Sequence, residues 1–395
     1  MNASAIKLTI LTRLFCLITF INTAPAETFI LNSRDTQVTN IMHNLMQKYA
    51  IPGAAVLVYE NGKMHKYSFG VMNKNKVQVS SKTIFELGSV TKIFTSLLLA
   101  EQVISGNSKL GDKLANYLND NNTISNEMKQ INLLELATHT SGLPYNAPNL
   151  AYNASLSSQN KQLLNKFLHN WVAPYPAGTA KLYSNFGFAL LGIGLANHIG
   201  KPLSEAIQQA ILIPLRMPNS FFTIPHEASN LYANGYTADG KLSRTPNGGM
   251  FAASWAMKSS ADDMANYLCA AIGTSETTGN LSAAMKVAQS GYFQTQNGNQ
   301  LGLGWTIIPL AQANIQDLLK VKPVAPRKKT PTSVIKIQFP QYIANALIEK
   351  TGATNGFRSY IGVIPNKKIG VVIMVNKFVY DANAIEQIGR QLIFR

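Results

Sequence analysis

A serine and a lysine three residues apart carry the most reactive chemistry in this 395-residue chain. Ser89-Val90-Thr91-Lys92 follows the turn residue Gly88 and enters an apolar, helix-like run through Ala100. On a helix, residues i and i+3 share a face, so Lys92 lies beside the Ser89 hydroxyl. A serine hydroxyl becomes a nucleophile when a neighbouring base takes its proton. A buried lysine can be that base, because desolvation disfavours its charged form. The start of a helix also presents unpaired N–H groups and partial positive charge. Spacing alone decides nothing, since Ser4/Lys7, Ser158/Lys161 and Ser333/Lys336 share it. An N-cap serine near a solvated lysine accounts for any of these. Ser89 differs in having a glycine turn before it and a long apolar run after it.

Two further stretches carry polar groups in useful combinations. Pro176-Ala177-Gly178-Thr179-Ala180-Lys181-Leu182-Tyr183-Ser184-Asn185 sets a Tyr-x-Asn on a short turn before a helix; Tyr117/Asn119 and Tyr232/Asn234 repeat the pair elsewhere. Lys350-Thr351-Gly352 occurs once. A cation, a hydroxyl and a glycine on an exposed strand edge can grip an anion and leave room for it. An ordinary polar turn is the plainer account of each.

The elements that must position these residues can be drawn from pattern. Asp35 to Tyr49 is amphipathic and helical, and Ile51-Pro52-Gly53 stops it. Ala54–Tyr59 and Lys63–Val71 flank the turn signal Asn61-Gly62 as a hairpin. Helical signals then dominate to about residue 230, among them Leu133–Thr138, Phe186–Ile199 and a helix begun at Pro202. Ser260–Ala271 is helical, Leu301–Ile308 reads as a strand, and Ser359–Ile364 and Ile369–Val375 form a second hairpin about Pro365–Lys368. Asp381–Phe394 is a closing helix, and Pro323–Thr332 is the most linker-like segment. Strands at both ends with helices between predict an α/β (α+β) chain. One antiparallel sheet is built from about 27–88 and 235–395, flanked by helices, with a mostly helical region at about 89–234 inserted.

Composition narrows the function classes. Lys and Arg total 35 against 19 Asp and Glu, a net charge of +16. Such an excess suits anionic partners. The densest basic cluster, Lys320–Lys329, is broken by Pro323 and Pro326 and has no interleaved aromatics, so nucleic acid binding is not expected. Residues 1–26 have the form of a secretory signal. Lys7 and Arg13 precede the apolar Leu14–Ile21, and Ala24-Pro25-Ala26 is a small-x-small cleavage site before Glu27. The apolar run is too short for a membrane anchor. After cleavage Cys269 stands alone in an apolar helical context, as a small core residue. The six histidines show no metal-ligand spacing, so no metal is expected.

Taken in order, Ser-x-x-Lys, Tyr-x-Asn and Lys-Thr-Gly resemble the serine β-lactamase and penicillin-binding peptidase superfamily. The Tyr-x-Asn form is similar to class C β-lactamases and their esterase and D-Ala-D-Ala peptidase relatives. Phe85–Val90, Leu133–Thr140, Gln300–Trp305, Lys350–Tyr360 and Asn376-Lys377 resemble class C sequences as well, over nearly all of 30–390. The likeness selects Tyr183 over Tyr232, because Tyr183 carries the Pro-x-Gly lead-in. It implies a β-lactamase/transpeptidase-like fold and a periplasmic, monomeric, cofactor-free hydrolase of small-molecule β-lactams that confers antibiotic resistance. Ser89 would be acylated, and Lys92, Tyr183 and Lys350 would share the proton work. The backbone N–H groups of Ser89 and Ala353 would form the oxyanion hole. Asn185 would hold the substrate's side-chain amide and steady Lys92; Lys350 and Thr351 would meet the carboxylate, and Asn146, Gly352 and Ala353 are further substrate-binding positions. Asn355 and the aromatic Trp255 would complete the substrate-binding set. A D-Ala-D-Ala carboxypeptidase or a serine esterase is the alternative on the same scaffold. The likeness also exposes departures: Asp381 and Ala384 stand where relatives often have a carboxylate-binding asparagine and arginine. Arg358, on the second hairpin, is expected to face solvent.

Overall fold

The computed structural model describes residues 33–118, 124–151, 154–155, 157–275, 279–320 and 330–395. The signal-like residues 1–26, the Ser4/Lys7 pair and most of the linker-like stretch lie outside them. Among the described residues, ten strands form one antiparallel sheet. From one edge they are Lys63–Gly70, Gly53–Glu60, Ile369–Val375, Arg358–Ile364 and Ala346–Ala353. Thr306–Pro309, Gln300–Leu301, Ser290–Thr295, Thr332–Tyr342 and Ala180–Lys181 continue it to the other edge. The two chain ends meet near one edge of the sheet, with Ala54 opposite Val375. Buried Asn376 locks that junction by accepting the Gly53 N–H at Oδ1, at 2.7 Å.

Both faces of the central strands are covered, and strand alternation sends successive side chains to different cores. Ala55, Leu57, Val372 and Met374 join the larger core, with the helices Thr91–Ile104 and Ala261–Ile272. Val56, Val58, Ile373 and Val375 join the smaller core, beneath the helices Ser33–Tyr49 and Ala382–Phe394. Helix Asn185–Ile199 is apolar around its whole circumference and correspondingly buried, as a helix at the centre of a helical layer must be. The larger core runs without a break from the sheet into this layer.

The element limits fall close to the sequence reading at both hairpins and at the two terminal helices. One element is corrected. Leu301–Ile308 is not a single strand: Gln300–Leu301 and Thr306–Pro309 are two antiparallel strands with Leu301 opposite Thr306. The turn depends on Gly304, whose φ of +75° lies in the left-handed region. A Cβ there would also come within 2.9 Å of Ser96 Oγ and 3.2 Å of the Lys92 carbonyl. Strands Ser290–Thr295 and Thr332–Tyr342 add to the elements read from pattern, and their pairing carries a register shift between Gly291 and Phe293.

Candidate active site

Three separate stretches meet around Ser89. Ser89 lies in a short 3-10 turn, Gly88–Val90, that leads directly into helix Thr91–Ile104. It does not cap the helix with its side chain, so its hydroxyl is available to other groups. Gly88 has φ +51°, and a Cβ there would lie 2.5 Å from the Ala353 N and O atoms. A Cβ on Gly352 would lie 2.0 Å from the Leu87 carbonyl. Two glycines on facing segments thus let the serine turn seat against the Lys-Thr-Gly strand, and Ser359 Oγ pins it by donating to the Leu87 carbonyl at 2.7 Å.

Lys92 follows one turn along the helix and is completely buried. Its ammonium donates to Ser89 Oγ at 3.1 Å, Asn185 Oδ1 at 2.8 Å and the Ser254 carbonyl at 2.7 Å. Neutral oxygens satisfy the buried cation here, as its donor geometry allows. Tyr183 reaches the same hydroxyl from the helical layer, its phenol donating to Ser89 Oγ at 2.7 Å. The Tyr183 ring lies between two ammonium groups: Lys92 Nζ is 5.0 Å and Lys350 Nζ 5.5 Å from its centroid.

Local bonding fixes the Tyr183 turn. Ser184 caps the following helix by accepting the Gly187 N–H at 2.7 Å, and its hydroxyl donates to the Pro144 carbonyl. His139 holds both neighbours of Tyr183: its carbonyl accepts the Leu182 N–H at 2.8 Å, and its Nδ1 the Ser184 N–H at 3.1 Å. The imidazole also packs on the Tyr183 ring, centroids 4.2 Å apart. Burial, then the charges of Lys92, Lys181 and Lys350, hold His139 well below the usual histidine pKa. A neutral ring is what an accepting Nδ1 requires. His139 is thus a structural hydrogen-bond partner of the Tyr183 turn.

The remaining sequence candidates fall around this centre. Asn146 Oδ1 accepts from Asn185 Nδ2 at 3.4 Å, so the two amides adjoin. Pairing of the Ala346–Ala353 strand with Thr306–Pro309 ends at Glu349, leaving the Lys350–Ala353 segment with a free edge on that side. Lys350 Nζ turns back to the Thr351 carbonyl at 2.9 Å. Thr351 and Ala353 are partly buried, and Asn355 is exposed in the turn that follows. Trp255 directly follows Ser254, but it belongs to the larger core with only 7 % of its surface accessible.

Arg358 is a correction. It does not face solvent: it is 6 % exposed, and its guanidinium donates to the Val379 carbonyl and lies 4.5 Å from the Phe378 ring centroid. Strand register explains this. Arg358 opposes Ala353 and shares the face of Tyr360, where residues after the last strand cover it; Lys350 projects from the opposite face. The two departures have structural uses of their own. Asp381 accepts the Tyr49 hydroxyl at 2.9 Å and caps the last helix through the Asn383 N–H, while Ala384 is buried in the smaller core. Tyr232, set aside by sequence, is no part of the centre: its hydroxyl donates to the buried Glu86 carboxylate. Sequence reasoning missed the Ser254 carbonyl, because a backbone acceptor leaves no mark on residue type.

Comparison with known proteins decides the family. The β-lactamase family model matches residues 38–393. The chain belongs to the β-lactamase family. Within that family, a β-lactamase of Pseudomonas fluorescens is 31% identical over 88% of this chain and 95% of its own length. Among solved structures, a class C β-lactamase variant superposes with a TM-score of 0.82 at 27% identity, covering 93% of this chain and 98% of its own. A D-alanine carboxypeptidase from Burkholderia cenocepacia superposes at 0.79, also at 27% identity, over 90% and 98%. The β-lactamase fold, mixed α/β with a large antiparallel sheet, is therefore the fold of this chain, on the class C branch.

Proposed function

We propose that this chain hydrolyses the amide of β-lactam rings through an acyl-enzyme on Ser89. The observation that carries the reading is the meeting of Tyr183 Oη, at 2.7 Å, and Lys92 Nζ, at 3.1 Å, on one serine oxygen. In this reading the Tyr183–Lys92 pair carries one proton fewer than a phenol and an ammonium together, so it takes the Ser89 proton as Ser89 Oγ attacks the lactam carbonyl carbon. That proton passes to the lactam nitrogen as the C–N bond breaks, leaving an ester on Ser89. Water then attacks the ester, its proton takes the same route, and Ser89 leaves with a hydrogen restored. The Ser89 and Ala353 N–H groups hold the oxyanion, consistent with the close seating of Gly88 on Ala353. Asn185 and Asn146 receive the substrate's side-chain amide. Lys350 and Thr351 meet its carboxylate over the free strand edge, with Gly352 leaving space; Asn355 and the exposed margin of Trp255 border the entrance.

A D-Ala-D-Ala carboxypeptidase is the second reading, favoured by the carboxypeptidase among the structural relatives. The readings differ in deacylation. Purified protein mixed with a chromogenic cephalosporin is followed by absorbance and by intact mass. Many turnovers per protein with a transient adduct on Ser89 are expected. A stable stoichiometric adduct would favour the peptidase, and neither signal would end both. Delivery to the periplasm by cleavage after Ala26 belongs to the same proposal. It is in keeping with the finding that no helix of the described residues is long and apolar enough to cross a membrane. A mature N-terminus at Glu27 is the expected result of sequencing. The protein is expected to act as a monomer, without cofactor or nucleic acid.

A further inference from the structure

A second cationic pocket lies beside the Tyr183 turn, two residues upstream. A cavity of about 370 Å³ is walled by Lys181, Thr295, Asn297, Asn299, Thr306 and Thr332, with no aspartate or glutamate among the described residues that line it. That volume lies in the range of small-ligand sites, ~300–1,000 Å³. The backbone of Lys181 is fixed, since the Ala180–Lys181 strand pairs with Ser333 and Thr332 and Leu182 N–H is held by the His139 carbonyl. The opposite wall is a tight turn. Thr295 Oγ1 donates to Asn297 Oδ1 at 2.5 Å and to the Asn299 carbonyl at 2.9 Å. With Oδ1 so occupied, the Asn297 amide has its N–H donors to offer. Lys181 itself is partly buried, and burial alone lowers its pKa, with no carboxylate acting to restore it.

We propose that this cavity binds a small molecule bearing a carboxylate or phosphate, as a site separate from the Ser89 centre. An ammonium, an amide N–H and the hydroxyls of Thr306 and Thr332 are the donors this lining offers, the Thr295 proton being taken up within its own turn, and donors without a counter-carboxylate select an anion over a cation. Charge-assisted bonds of this kind are about twice as strong as neutral ones. The anion would also supply the partner that a desolvated lysine otherwise lacks in this lining.

Calorimetric titration of the full-length mature chain with inorganic phosphate, and separately with acetate, at constant ionic strength tests this. Lys350 presents another cation, so Lys350→Met is titrated alongside. Saturable binding is expected in the parent, at least tenfold weaker in Lys181→Met and within twofold of the parent in Lys181→Arg and Lys350→Met. Saturation by phosphate alone assigns the pocket to phosphates; saturation by acetate extends it to carboxylates. Should Lys181→Met fail to fold, Asn297→Asp, at an exposed turn, introduces a carboxylate and is expected to weaken binding at least tenfold. No saturable heat in the parent, unchanged affinity in Lys181→Met or Asn297→Asp, or loss confined to Lys350→Met would overturn the assignment.

Discussion

Glu349 and Lys350 are neighbours on one strand, and the two faces they serve handle charge in opposite ways. On the Glu349 face, opposite charges are paired. Arg390 bridges Glu349 and Glu386, and Tyr360 donates its hydroxyl to Glu349 at 3.0 Å. The carboxylates there raise the Arg390 pKa further. On the Lys350 face, the leading charges around His139 are all cations: Lys92, Lys181 and Lys350. Lys92 is met by a hydroxyl, an amide oxygen and a backbone carbonyl. Acceptors without formal charge keep the buried cation hydrogen-bonded while leaving its electrostatic field to act on Tyr183 and Ser89. The comparison teaches a division of labour set by strand pleat: one face matches its charges in pairs, and the other gathers cations around Ser89 and Tyr183.

Substitutions can break each side of that comparison separately. The largest effect is expected at the cationic face. Ser89→Ala should lower kcat for β-lactam hydrolysis by more than ~10⁴-fold, since groups that act as a unit lose most of their effect together. Tyr183→Phe should cost ~10²–10⁴-fold in the same assay and slow formation and loss of the adduct alike. Both proteins should melt close to the parent in a thermal scan.

At the paired face the sign of the result reverses. Arg390→Met leaves Glu349 buried without its cation, a change that typically costs about 3–5 kcal/mol. Chemical denaturation should register that loss, while kcat of the folded fraction stays within a few-fold of the parent. An Arg390→Met enzyme of normal stability and crippled turnover would dissolve the distinction between the faces. Tyr232→Phe is a milder version. It leaves the buried Glu86 carboxylate without one of its donors, although Thr245 still donates through its N–H and hydroxyl. A loss of about 1–3 kcal/mol with unaltered kinetics is expected.

The smallest effect concerns pH. Burial pushes Asp263 up to about 6; burial, then the Glu349 charge, pushes Glu386 up to about 7. A carboxyl whose folded pKa exceeds its unfolded value stabilises the fold fully below the unfolded value, and that contribution is lost as pH rises through the folded value. Both groups should therefore lower Tm as pH climbs from about 4 to 7. Depressed His139 has the opposite slope, its contribution being present above the unfolded value of 6.5 and lost as pH falls. Asp263→Asn isolates one contribution: its Tm-against-pH curve should be flatter than the parent's between pH 4 and 6, by about 1–2 °C.

Much of this was legible in residue order. Hairpin turns such as Asn61-Gly62 and Pro365–Lys368 announce themselves because few residues suit positive φ or a preset φ. The alternating strands and the amphipathic helices follow from periods of 2 and 3.6. The motif residues Ser89, Lys92, Tyr183 and Lys350 were named from their local settings and their resemblance to a family. Other features depended on which segments meet. Arg358 looked free to face either way until its register against Ala353 and the covering loop at Val379 placed it inside. Leu301–Ile308 has the composition of one strand, and remote segments shape its turn: Gly304 N–H donates to the Ala137 carbonyl and Leu303 N–H to that of Ala288, while a Cβ on Gly304 would crowd Ser96 and Lys92. Asp381 offered a carboxylate of no evident use until Tyr49, 332 residues earlier, supplied its donor. The sequence by itself determined the local conformations and the chemical groups, because these depend on residues within a few positions of one another. Tertiary structure alone decided which groups face one another, which cations meet neutral oxygens, and which are matched by carboxylates. Those outcomes depend on through-space distances and burial, which are created only when remote segments pack.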